Sequence, residues 1–205
     1  MTAMVLKSEI EKTVQWCKVW REVVQQAKVG AEVRSHMSGA FQHLCLEHHT
    51  GLLRLAEVGI YGAAFALYRP QFDAFVRGAW IRACASDVWI GGFQKNEKQP
   101  PVIKNIINSL EKVDGYEDGL LTKFRETAYG LLCDFTHGGT VQVRMRVAPG
   151  SIKMGWSEDH VAGLLRSSSA LALLGCIEIS RLAKDEEMAN EFAFRHKSIY
   201  SIDVR

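Results

Sequence analysis

The sequence predicts an all-α fold: a single-domain helical bundle of about five to seven helices with one appended β-hairpin. Three observations point there. Apolar residues recur at i, i+3 and i+4 through most of the chain. Glycine, proline and charged clusters cut that rhythm into segments of helical length. One stretch, TVQVRMRV, alternates instead with a period of two. The 205 residues, 47% hydrophobic and 23% charged, suffice for one buried core, and no internal repeat, low-complexity tract or flexible linker divides them.

From Lys7 to about Val29, the residues Ile10, Val14, Cys17 and Val24 fall near helical spacing, and Gly30 is a natural stop. A second long helix is expected from Ala31 to Val58, where Phe41, Leu44, Cys45, Leu52, Leu55 and Ala56 keep the rhythm until Gly59 ends or bends it. A third runs through YGAAFALYRPQFDAFVRGAWIRACASDVWI. Pro70 removes a backbone donor there, so a kink or a fresh helix start is expected. Gly91 to Pro101 reads as an exposed loop, followed by a short helix from Val102 to Val113. After further Asp and Gly punctuation, Leu121, Phe124, Ala128, Leu131, Leu132 and Phe135 form an apolar stripe, closed by Gly138 and Gly139 as a left-handed stop.

The β-hairpin is expected at roughly residues 141–156. Val141, Val143, Met145 and Val147 alternate with Gln142, Arg144 and Arg146, and a Pro149-Gly150 turn leads to Ile152, Met154 and Trp156. Its exposed face is basic. Ser157 is a good N-cap, with Glu158 and Asp159 at the positive end of the helix dipole, for a long central helix reaching about Lys184. A polar helix and a tail, EFAFRHKSIYSIDVR, close the chain.

A net charge of +2 is too small to imply a nucleic-acid or acidic-surface partner by bulk electrostatics, so any such partner must be met by a local patch. The five cysteines are scattered and never in a CxxC pair, which argues against a disulfide framework and a zinc ribbon. Charge appears at Lys7 and Glu9 before an apolar run of signal-peptide length accumulates. The longest uncharged runs, Val58 to Tyr68 and Ser167 to Ile177, have 11 residues each, where a membrane span needs about 20. A cytoplasmic protein without a membrane partner is expected.

Four constellations could carry chemistry. Arg69, Asp73 and Arg77 stand at i, i+4, i+8 on one side of an otherwise apolar helix. They fit either a salt-bridge ladder that fixes packing or two guanidinium forks lining a phosphate or carboxylate pocket, oriented by Asp73. His137, in the last turn of CDFTHGG, is either a C-capping histidine or a site residue, the following glycines letting a ligand approach closely. It is the best single candidate for catalysis. In FQHLCLEHHTG, the residues His43, Cys45, Glu47, His48 and His49 lack the ligand count and the Glu-x-x-His spacing of a metal centre, so no metal is expected. Arg144, Arg146 and Lys153 form either a solvated strand face or a strip for nucleic-acid phosphates, with no interleaved aromatic for base stacking. No phosphate-loop, dinucleotide, α/β-hydrolase or zincin motif is present, and no cofactor is implied.

The segments GLLRLAEVGIYGAAFALYRPQFDAFVRGAWI, YGLLCDFTHGG and IKMGWSEDHVAGLLRSSSALALLG resemble a family of uncharacterised bacterial helical proteins, with the pattern Arg-Pro, acidic residue, Arg-Gly-Trp and then Thr-His-Gly-Gly. More distantly they resemble the HEPN group of helical domains, frequent in toxin–antitoxin and phage-defence systems. The resemblance implies a bundle that dimerises, with a defence or nucleotide-related role. The ribonucleases of that group carry an Arg followed four to six residues later by His. Upstream of His137 those positions hold Gly130, Leu131 and Leu132, and no other histidine here has the Arg either. The leading expectation is a binding protein centred on Arg69, Asp73, Arg77 and His137. A metal-independent ribonuclease or nucleotide-modifying enzyme, with His137 as general acid or base, is the alternative. An interaction module using the hairpin and the C-terminal tail is the third.

Overall fold

A computed structural model of the chain describes residues 2–201. In order, its helices are α1 (Thr2–Val24), α2 (Val33–Glu57), α3 (Tyr61–Ala83), α4 (Asp87–Gln94), α5 (Ile103–Leu110) and α6 (Leu120–Phe124). A π-helical turn, Arg125–Tyr129, continues α6 directly into α7 (Gly130–His137). The helix α8 (Thr140–Arg144), the antiparallel strands β1 (Val147–Ala148) and β2 (Ser151–Ile152), then α9 (Glu158–Ala183) and α10 (Glu186–Tyr200) complete the order. The fold is all-α with a small appended hairpin, as the sequence predicts; α4 and α8 are short helices beyond those expected. The tail at 202–205, to which the interaction-module expectation assigns a role, lies outside the described residues.

Helices α2 and α3, joined by only three residues, form a helical hairpin, and α9 packs across α1, α2 and α3 with α10 against α1 and α9. Trp16, Leu46, Leu52, Phe75, Ile81, Leu165 and Phe192 are fully buried at the centre. Small residues set the approach of α2 to α3. A Cβ on Gly78 would lie 2.4 Å from Nε2 of Gln42, whose amide donates to the Phe75 carbonyl at 3.2 Å. Ser38 donates to the Gly78 carbonyl at 2.8 Å. The helix α9 is long and apolar enough by composition to cross a membrane, yet 56% of its most apolar window is buried among the other helices.

Local expectations are corrected at three places. The strand expected from Val141 is helix α8. Period-two spacing also places Val141 and Met145 at i, i+4, and both pack on the core. The Asp134 carboxylate starts the helix, accepting the Gln142 and Val141 amides at 2.9 and 3.2 Å. Pro70 does not restart α3, which runs unbroken from Tyr61 to Ala83. The third helix, expected through Ile90, ends at Ala83, and the loop expected from Gly91 starts only after Gln94, because Ser86 caps a new helix by accepting the Trp89 amide. Elsewhere Gly138 is left-handed at φ 68°, and Ser157 caps α9 by accepting the His160 amide.

Candidate functional site

Pro70 has no N–H, so the carbonyl of Ala66, four residues earlier, loses its helical donor. Thr136 of α7 replaces it: its hydroxyl stands 3.2 Å from the Ala66 carbonyl and 2.9 Å from that of Leu132, one proton serving both. The proline of one motif and the threonine of the other thus fix α7 against α3. The rest of CDFTHGG has similar local reasons. Gly139 is small because the Asp134 carboxylate lies over it, where a Cβ would come within 2.3 Å. Gln142, buried behind this turn, donates to the carbonyls of Gly62 and Phe135 at 3.0 and 3.1 Å. Trp156, at the exit of the hairpin, stacks on Phe65 at 4.0 Å and meets Phe135 edge-on.

This docking brings His137 to Arg69. A guanidinium N–H of Arg69 donates to Nε2 of His137; because arginine has no lone pair to offer, the imidazole carries its proton on Nδ1. Arg69 Nε donates to the Tyr129 hydroxyl at 3.2 Å, and that hydroxyl donates to Asp73 Oδ1 at 2.9 Å. The Arg69 guanidinium also lies over the Tyr129 ring, 5.2 Å from its centroid. Asp73 Oδ2 stands 3.9 Å from Arg69 and 3.8 Å from Arg77, too far for a hydrogen bond to either. Burial pushes the Asp73 carboxyl above its ordinary range, against the Tyr129 hydrogen bond and the charges of Arg77 and Arg69.

The ladder expected within α3 is therefore loose, and its cations face an open cavity of about 270 Å³. Arg69, Asp73, Arg77 and Thr136 supply its polar wall, with His48 across from them on α2. His137 does not line the cavity; it holds Arg69 from the rim. Burial lowers the His48 pKa, with Glu47 opposing, so this imidazole adds no fixed charge. Arg77 keeps its Nε without a hydrogen-bond partner. Two guanidinium groups with one carboxylate between them leave one surplus positive charge, the arrangement that receives an oxyanion.

Sequence reasoning missed Tyr129 and weighed His48 only as a metal ligand. In a regular helix Phe124 and Tyr129, five residues apart, point about 140° away from each other. The π turn closes that angle, and both rings meet Phe72, at 4.5 and 6.0 Å. Also missed was a fully buried polar knot among α2, α3 and α9. Gln71 donates to the Ser168 carbonyl at 2.9 Å and accepts the Ser168 hydroxyl at 2.6 Å, so His49 Nδ1, at 2.8 Å, must donate to the Ser168 oxygen. Nε2 of His49 is then a buried acceptor without a partner.

The basic strip expected on the hairpin takes another form. Arg144 is exposed at the end of α8, while Arg146 is turned back onto the Gln142 carbonyl and side chain at 2.7 and 2.8 Å and lies against Gly62. Lys153 follows β2 and is exposed. The three share no strand face, because Arg144 belongs to α8 and only Arg146 and Lys153 adjoin the hairpin, the Lys153 amide donating to the Arg146 carbonyl at 2.9 Å. Among the described residues, no group of three or more His, Cys, Asp or Glu side chains is placed to hold a metal ion. All five cysteines are free thiols, and Cys17, Cys45 and Cys176 are buried.

No curated protein and no solved structure matches the chain. A family model does, over residues 42–201, a stretch that holds both arginines, Asp73, Tyr129, His137 and the helices that carry them. The chain belongs to DUF6988, a family of unknown function.

Proposed function

We propose that the protein is a binding protein for an oxyanion-bearing ligand, a phosphate foremost, held by Arg69 and Arg77 and kept in register by Asp73, Tyr129 and His137. One observation carries this reading. Two guanidinium groups two turns apart on α3 face a cavity of about 270 Å³ with a single carboxylate between them, and that carboxylate spends its closest contact on Tyr129. A phosphate placed there accepts from both forks and replaces the surplus repulsion with attraction. Five free thiols fit a reducing cytoplasm, which is part of this reading, as are bacterial origin and a homodimer. Inorganic phosphate should raise the melting temperature of the wild type by ligand linkage. Arg77→Ala, which removes no hydrogen bond of the His137–Tyr129 cluster, should abolish most of that rise while still folding. A rise that survives in Arg77→Ala and in Arg69→Ala overturns the proposal.

A second reading, metal-independent cleavage of RNA, has its own observation: Arg69 and His137 meet although no Arg precedes His137 at the ribonuclease spacing. Release of the Arg69 N–H from Nε2 of His137 would free that lone pair to serve as base, and Arg69 would then stabilise the developing phosphate charge. Expression of the wild type beside His137→Ala tests it. Growth arrest with RNA decay in the wild type alone supports cleavage; no effect from either leaves the binding reading.

A further inference from the structure

His48 lines the anion cavity and also lines a second, larger groove of about 630 Å³, between α1, α2 and Leu67 of α3. The first cavity alone lies below the ~300–1,000 Å³ of small-molecule sites, and the two together fall within that range. We propose that the ligand is an organic phosphate: its phosphoryl head sits on Arg69 and Arg77, and its body passes His48 into this groove. The inference rests on the anion reading above and adds the chemistry of the rest of the ligand.

The groove specifies that body. One wall is apolar, built from Trp20 and the half-buried Val24 and Leu67, which suits an aromatic or heterocyclic ring. Opposite, His43 and Glu47 project from α2 as exposed side chains, one turn apart on the face that carries them toward the groove. The Glu47 carboxylate only accepts, so it selects a body with N–H or amino donors. The nearby Arg21 donates one N–H to Thr50 at 3.2 Å and lies over the Trp20 ring at 5.2 Å, which adds a cation to this rim of the groove. The ligand class is a phosphate monoester of a flat, amino-bearing body.

Calorimetric titration with inorganic phosphate, phenyl phosphate, adenosine monophosphate and adenosine tests this. Adenosine monophosphate is expected to bind about tenfold or more tighter than inorganic phosphate, with phenyl phosphate between them and adenosine alone weak. His43→Trp, an exposed position whose enlarged side chain fills the groove, should erase the gain over phosphate and leave phosphate binding unchanged. Glu47→Gln should narrow the margin between adenosine monophosphate and phenyl phosphate. Phosphate binding with no gain from either ester, or a gain that His43→Trp preserves, overturns the extended ligand and leaves the anion site standing. Ester binding that persists in the Arg69→Ala, Arg77→Ala double variant overturns it from the other end. Failure of every phosphate probe to bind removes the anion reading itself, and this inference with it.

Discussion

Thr136 does for Ala66 what the backbone of residue 70 cannot, and single side chains settle the placement of the site in this way throughout. Removing the hydroxyl leaves the Ala66 carbonyl unpaired, so Thr136→Val should cost about 1–2 kcal/mol in denaturant unfolding. In a Pro70→Ala background the backbone N–H returns and the same change should cost less than half as much; equal costs in both backgrounds would disprove the link. Gly139 poses a similar test. Gly139→Ala drives a methyl into the Asp134 carboxylate that caps α8, and a loss of about 1–2 kcal/mol is expected. Once Asp134→Ala has removed that carboxylate, Gly139→Ala should add little.

At the scale of elements, the π turn of Arg125–Tyr129 decides what α7 presents to α3. Deleting Thr127 should let the run from α6 close as a regular helix, turning everything on one side of the deletion by about 100° relative to the other. Tyr129 or Phe124 must then leave Phe72, and the variant is expected to lose phosphate-dependent stabilisation together with the fluorescence of a packed Trp156. Retention of both would show the turn to be incidental. This turn also marks where the sequence stopped being legible. Helices α2, α9 and the end of α7 follow from apolar spacing, Ser157 and Gly138, because these signals are local. Arg69, Asp73 and Arg77 were visible as a charged row on an apolar helix. Tyr129 was not, since regular periodicity puts it on the wrong face, and His48 was read only as a failed metal ligand. The run from Val141 was misread because its apolar spacing serves a strand and a helix alike, and Asp134, seven residues before it and across the glycine turn, chooses between them.

Across the whole molecule, His49 ties α2 to α3 and α9 at the centre of the bundle, and its burial has a thermodynamic consequence. Burial holds the His49 imidazole at about 3 and that of His196 at about 4, from an ordinary 6.5. Below about pH 6.5 the unfolded chain therefore binds protons that the folded protein refuses. Stability should be fully present above that pH and fall as the pH drops toward 4, by up to about 1.4 kcal/mol per pH unit for His49. Unfolding curves across that window should show a shallower fall in His49→Gln; an unchanged slope would mean that the imidazole titrates in the fold. The same packing that buries His49 holds α2 against α3 and so sets His48 opposite the two arginines of the anion cavity. The direct test of that cavity is a phosphate titration followed by the side-chain Nε–H resonances of isotope-labelled arginines. Saturable shifts are expected at Arg69 and Arg77, while Arg82, locked bidentately on buried Glu178, and Arg34, bonded to the end of α3, stay still. Equal drift of all arginines, or saturation at none, would contradict the account.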